Sequence, residues 1–151
     1  MKNEPIEFMT KLAADNPDRV TKCYYAGWNA SNVCKPECIV GHWLVGEGIP
    51  AEMLVHVQPT SDYWQDFNES SFDASAKNIL DPAMLDVMFE SVNTGIASDI
   101  LALLAPIAAE LSETQLAWIS SAQGYQDTGD TWKDSVIQAT KAIFSDESSA
   151  S

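Results

Sequence analysis

Positive charge is what this sequence has least of: eight Lys and Arg residues stand against 22 Asp and Glu, a formal net charge of −14 over 151 residues. The shortage is regional. From Pro36 to Trp132 the chain carries fifteen acids and a single base, Lys77, whereas residues 1–35 and 133–151 are nearly balanced. Such a middle repels phosphate backbones and anionic headgroups, so direct nucleic-acid or membrane-surface binding is not expected, and encounter with a basic protein surface is favoured. Long apolar runs are missing too. The most apolar window, Ile96 to Leu111, is broken by Asp99, Pro106 and Glu110, and the N-terminal M-K-N-E-P-I-E-F-M-T-K has no run of signal-peptide length. Neither export nor a membrane span is expected, and the expected location is cytoplasmic. Cysteine is limited to three, an odd number that fits a reducing compartment better than a disulfide framework. There is no Walker A loop, no G-x-G-x-x-G, no H-E-x-x-H and no G-x-S-x-G.

What is present is an ordinary apolar share, 46%, and five tryptophans, enough for one core without disulfides or metal. The stretch C-K-P-E-C-I-V-G-H-W-L-V-G-E-G, Cys34 to Gly48, organises the rest. Pro36 suits a first helical position, Glu37 favours the positive end of the helix dipole, and Gly46 with Gly48 supplies a stop, which predicts a helix from Pro36 to Val45. Between those signals His42 is the one strongly polar side chain, and a helix apolar on every side belongs inside a fold.

Around it the pattern predicts a mainly α, compact single domain with a small N-terminal β-hairpin and a C-terminal αα-hairpin. Pro5 to Asp15 reads as an amphipathic helix ended by Asn16-Pro17. Val20 to Tyr25 and Val33-Cys34 read as two short strands around a turn at Gly27 to Asn32. Ala51 to Val57 is a short helix, with Met53, Leu54 and Val57 inward and Glu52 and His56 outward. Asp81-Pro82 opens a helix to Val92; Ser98 to Glu110 is another, with a kink or boundary expected at Ala105-Pro106. Ser112 and Gln115 make a capping box for a helix from Glu113 to Gln126. Gly129 then allows a tight turn, and Asp130 is expected to cap a last helix bearing Trp132, Val136, Ala139 and Ile143 on one stripe. The expected domain is 1–144, with a polar tail over 145–151.

Two pieces, Pro36-Glu37-Cys38-Ile39-Val40-Gly41-His42 reached from Cys23-Tyr24, and Ala122-Gln123-x-x-Gln126-Asp127-x-Gly129-x-x-Trp132, resemble small proteins encoded by actinobacteria and their phages. The resemblance covers roughly half the chain, leaves out Gln58 to Leu111, and implies a setting in a phage or its host cytoplasm. It implies no activity.

Three constellations could carry chemistry. Cys23, Cys34, Cys38 and His42 form a Cys3His set that suits zinc by ligand type, although C-x3-C-x3-H is not a finger spacing. Cys38 and His42 form a thiol–imidazole pair, with Cys38 in the first turn of a helix whose dipole lowers a thiol pKa, but no third group or oxyanion loop is evident. Otherwise these are core residues, His42 being expected to hydrogen-bond a carbonyl or carboxylate. Gln123, Gln126, Asp127 and Asp130 crowd a turn, where Asp127 and Asp130 are expected as caps, or where the set could form a cation or polar-ligand site, without the EF-hand pattern. The long acidic and aromatic loop 58–78 interleaves Tyr63, Trp64, Phe67 and Phe72 with Asp62, Asp66, Glu69 and Asp73, which suits docking on a surface rich in Lys and Arg. The favoured expectation is a non-enzymatic cytoplasmic interaction protein that binds a basic surface of a protein partner, as an inhibitor or a nucleic-acid mimic, with no cofactor. The zinc module, the Cys38/His42 thiol enzyme, and acidity that serves solubility alone stand as alternatives.

Overall fold

The computed structural model describes residues 2–21, 25–28, 30–56, 80 and 95–149; for His56, residues 95–98, Asp127 and residues 145–149 the backbone alone is described. The chain is mainly helical, with one two-stranded antiparallel hairpin near the N-terminus. The helix expected from Asp81 to Val92 and the loop 58–78 lie outside the described residues.

Helix α1, Pro5–Asp15, starts where the sequence signals it. The Glu4 carboxylate accepts the backbone N–H groups of Ile6 and Glu7, both at 2.9 Å, and Pro5 occupies a position that has no N–H to satisfy. Met9 and Ala13 turn one face inward. Asn16 ends the helix, its side-chain amide donating to the Leu12 carbonyl at 3.1 Å, and Pro17 prevents continuation.

Strands β1, Ala26–Trp28, and β2, Cys34–Pro36, pair as Ala26 with Pro36, Gly27 with Lys35 and Trp28 with Cys34. Both described strands begin later in the chain than the sequence pattern predicts; residues 22–24 of the first expected strand lie outside the described residues. The ladder runs one rung further, because the Glu37 N–H donates to the Tyr25 carbonyl at 3.0 Å. Pro36 is therefore strand, and the expected helix start at Pro36 is corrected: helix α2 spans Ile39–Gly46, with Cys38 as its N-cap in extended backbone. Proline fits there because Ala26–Pro36, next to the hydrogen-bonded Tyr25–Glu37 rung, is a non-hydrogen-bonded pair that asks for no N–H from residue 36.

Helix α2 is the buried centre that its composition predicts. Ile39, Val40, Gly41, Trp43 and Leu44 are buried. Gly41 is required, since a Cβ there would overlap the carbonyl oxygen of Tyr25. Its far end is tied to the N-terminal segment: the Glu47 carboxylate accepts the N–H groups of Lys2 and Asn3, and the Trp43 indole N–H donates to the Asn3 carbonyl at 3.1 Å.

Helix α3, Ala51–His56, packs against both strands and against α4, Gly95–Glu110. In α4, Ile100, Leu101, Leu104 and Ile107 form the inward stripe. Of the kink or boundary expected at Ala105-Pro106, the boundary does not occur: the helix runs through Pro106. Both Pro106 and Ala102, whose carbonyl loses its helical donor, are exposed, so water can take the vacated bond.

Helices α5, Glu113–Asp127, and α6, Trp132–Ser149, form the αα-hairpin, turning through Gly129 at φ 109°. Ser112 and Gln115 complete the reciprocal capping box. At α6 the cap is Thr131 and not Asp130: the Asp134 N–H donates to Thr131 Oγ1 at 3.1 Å. The helix also passes residue 144, so the expected polar tail begins as helix. Trp43, Trp118 and Trp132 are fully buried, and α1 lies across α2, α5 and α6.

Candidate functional site

The two motif stretches around Cys38 and Gln126 meet in the core. At the start of α2 the N–H groups of the first turn have no helical acceptor. Cys38 Sγ accepts from the Gly41 N–H at 3.2 Å, and Gln126 Oε1, projected from the last turn of α5, accepts from the Ile39 N–H at 2.8 Å. One turn back on α5, Gln123 donates through Nε2 to the Tyr25 hydroxyl at 3.1 Å. Gln123 and Gln126 share the buried stripe with Trp118, Ile119 and Ala122, and Gln126 is 0% exposed. Gln123 and Gln126, expected to crowd the turn and counted with its possible cation or polar-ligand site, instead tie α5 to the hairpin and to the central helix. Asp130 is partly exposed and does not cap α6; the Asp127 side chain lies outside what is described.

His42 and Trp132 form the second half of the junction. Their rings meet edge to face at 5.3 Å and 74°. Arg19 covers the same indole, with Cζ 4.5 Å from the ring centroid. The Trp132 backbone N–H donates to the Arg19 carbonyl at 2.8 Å, and its indole N–H donates to Thr21 Oγ1 at 2.9 Å. Residues 19–21 are thereby strapped across the start of α6. Among the described residues His42 Nε2 is buried and has no hydrogen-bond partner, so the expected carbonyl or carboxylate is not found at that nitrogen. Ser135 Oγ is in the same condition.

These surroundings set the chemistry. Burial, and then the nearby Arg19 guanidinium, lower the His42 pKa to about 4, so the ring is neutral at pH 7. Burial raises the Cys34 thiol above its ordinary value, with Glu52 and Glu37 adding to the effect. Cys38 is 1% exposed, and its sulfur is already an acceptor for the helix. Cys34 faces Trp28 across the hairpin. Among the described residues no three His, Cys, Asp or Glu side chains gather as a metal site, and Cys23, the fourth member of the expected set, lies outside them. The acidic and aromatic residues Asp62, Tyr63, Trp64, Asp66, Phe67, Glu69, Phe72 and Asp73 also lie outside the described residues.

A groove of about 550 Å³ runs along α1, where Lys2 and Lys11 alternate with Glu4, Glu7 and Asp15 over Phe8 and Leu12. Among the described residues no single helix is long and apolar enough to cross a membrane. No family model matches the chain, and neither the curated proteins nor the solved structures return a match.

Sequence reasoning missed Arg19, Thr21 and Tyr25 as partners of the two motifs. No local signal marks them, because each is recruited across the fold. The i, i+3 spacing of Gln123 and Gln126, on the stripe begun by Trp118 and Ile119, was a readable sign that these amides point inward.

Proposed function

We propose that the protein is a non-enzymatic interaction protein that binds a basic surface on a protein partner, acting as an inhibitor or a nucleic-acid mimic in a phage or actinobacterial cytoplasm. The observation that carries this reading is the partition of charge, fifteen acids against one base between Pro36 and Trp132. Among the described members of that stretch, Glu52, Asp99, Glu110 and Glu113 are exposed on three different helices. Charge of one sign accelerates encounter with an oppositely charged partner and rejects partners of like charge. Charge alone rarely supplies the desolvated anchors of a specific complex, and Tyr63, Trp64, Phe67 and Phe72 provide aromatic candidates for that role.

The chemistry-bearing residues support the same reading from the other side. Cys38 is occupied as a helix cap, and His42 is a neutral ring packed on Trp132. A thiol nucleophile needs an exposed sulfur and a base within reach, and 1% exposure gives Cys38 little access to substrate.

Affinity capture from an actinobacterial host lysate tests the proposal with three baits: wild type, Trp64→Ala/Phe67→Ala, and Cys38→Ala. The expected result is a protein retained by wild type and Cys38→Ala, lost in moderate salt and lost by the aromatic variant. No retained protein, or retention indifferent to salt and to the aromatic pair, overturns it.

A further inference from the structure

We propose that His42, Trp132 and Arg19 form a proton-operated latch: charging His42 releases residues 19–21 and the start of α6 from the central helix, while the rest of the α5–α6 pair stays closed. The geometry is a three-layer stack of interactions on one indole. Arg19 lies over the Trp132 ring at 4.5 Å, His42 meets it edge to face at 5.3 Å, and Thr21 holds its N–H at 2.9 Å. As a neutral ring His42 is a good neighbour for a buried indole. As a cation it brings a second positive charge beside Arg19, on a ring whose Nε2 has no acceptor among the described residues to share the new charge.

The one charge that acts appreciably on His42 is that of Arg19, and none of the described carboxylates, among them Asp18 beside Arg19, Glu7 and Asp15 on α1 and Asp130 and Asp134 flanking Trp132, offsets it to a comparable degree. The carboxylate at the far end of α2, Glu47, is engaged by the N–H groups of Lys2 and Asn3. On α1, Glu4 is engaged by Ile6, Glu7 and Gln115. Glu52 of α3 and Glu37 beside β2 act on Cys34. Helix α5 presents the uncharged amides Gln123 and Gln126, α6 presents Trp132, and Cys38 lies one turn earlier on the helix of His42 itself. The charge acting on His42 is Arg19, which repels a proton there.

The contacts that would open, among the described residues, all meet at the Trp132 end of α6. The strap is held by the Trp132 N–H to Arg19 carbonyl bond, the Thr21 bond and the cation–π contact. The α5–α6 interface has its own tie further along, the Trp118 indole N–H donating to Thr140 Oγ1 at 3.2 Å. That second indole is an internal reference within the same molecule.

Hydrogen-exchange NMR of the two indole N–H groups between pH 7 and pH 4 tests the latch, alongside direct titration of the His42 ring. In the wild type the Trp132 indole protection factor is expected to fall at least about tenfold over the range in which His42 gains its proton, with Trp118 protection unchanged. In His42→Gln, which cannot charge, Trp132 protection should stay level with pH. In Arg19→Gln the His42 titration should move to higher pH. A parallel loss of protection at both indoles overturns the latch, as does the same pH dependence in His42→Gln or a wild-type His42 that titrates with Trp132 protection constant. If either variant fails to fold, the comparison of Trp132 with Trp118 in the wild type decides alone.

Discussion

The Gln126 side-chain carbonyl accepts the Ile39 N–H at 2.8 Å, across 87 residues of sequence, and so caps the central helix from a different helix. Cys38 satisfies a second donor of the same turn from within the chain's own cap position. The core helix is thus started by two side chains from the two motifs, and each motif depends on the other for its geometry.

Replacing Gln126 by Leu keeps most of the volume and leaves the Ile39 N–H buried without an acceptor. A loss of about 1–3 kcal/mol is expected, read by urea denaturation followed by circular dichroism. A variant within error of wild type would mean that the amide is satisfied some other way.

The sulfur cap predicts an ordered pair of variants. Cys38→Ala removes the acceptor for Gly41 and should cost about 1–2 kcal/mol, whereas Cys38→Ser keeps an oxygen at the cap and should recover part of that. If Ala and Ser destabilise alike, the cap is not what the sulfur contributes.

Gly41→Ala should be among the most damaging small changes in the chain. The added Cβ meets the Tyr25 backbone carbonyl, which the hairpin holds in place, so the strain should reach the upper end of about 1–3 kcal/mol in the same denaturation assay.

Much of this was legible from sequence where a signal is local. The caps and breakers of α1 and α5, the apolar composition of α2 and the stripe of α6 all announce themselves within a few residues. Cap choice between neighbours is not local in that sense: Asp130 and Thr131 are both good caps, and the turn through Gly129 decides in favour of Thr131. Pro36 satisfies a helix start and a strand end equally, and the one-rung extension from Glu37 to Tyr25 decides for the strand. Gln123 and Gln126 lie so near a turn that their polarity reads as turn chemistry, while their buried partners are 98 and 87 residues away.

The depressed His42 pKa makes a signed statement about acid stability. The folded state holds this ring neutral down to about pH 4, while the unfolded chain takes up the proton near the ordinary value of 6.5. Its contribution is therefore complete above pH 6.5 and is lost as pH falls from 6.5 towards 4. With allowance for the partial exposure of the ring, the loss is about 1–2 kcal/mol. Denaturation of wild type and His42→Gln at pH 7 and pH 4.5 should show the wild type losing more by that amount; equal losses would place the acid sensitivity elsewhere.

The central claim, that acidity does the binding while Cys38 and His42 serve the fold, is tested most directly by the equilibrium Kd of the purified captured partner as a function of salt. The account predicts a weakening of about tenfold or more between ~50 and ~500 mM NaCl, with Cys38→Ser binding as wild type does. An affinity that is flat in salt, or one that disappears with the thiol, would contradict it.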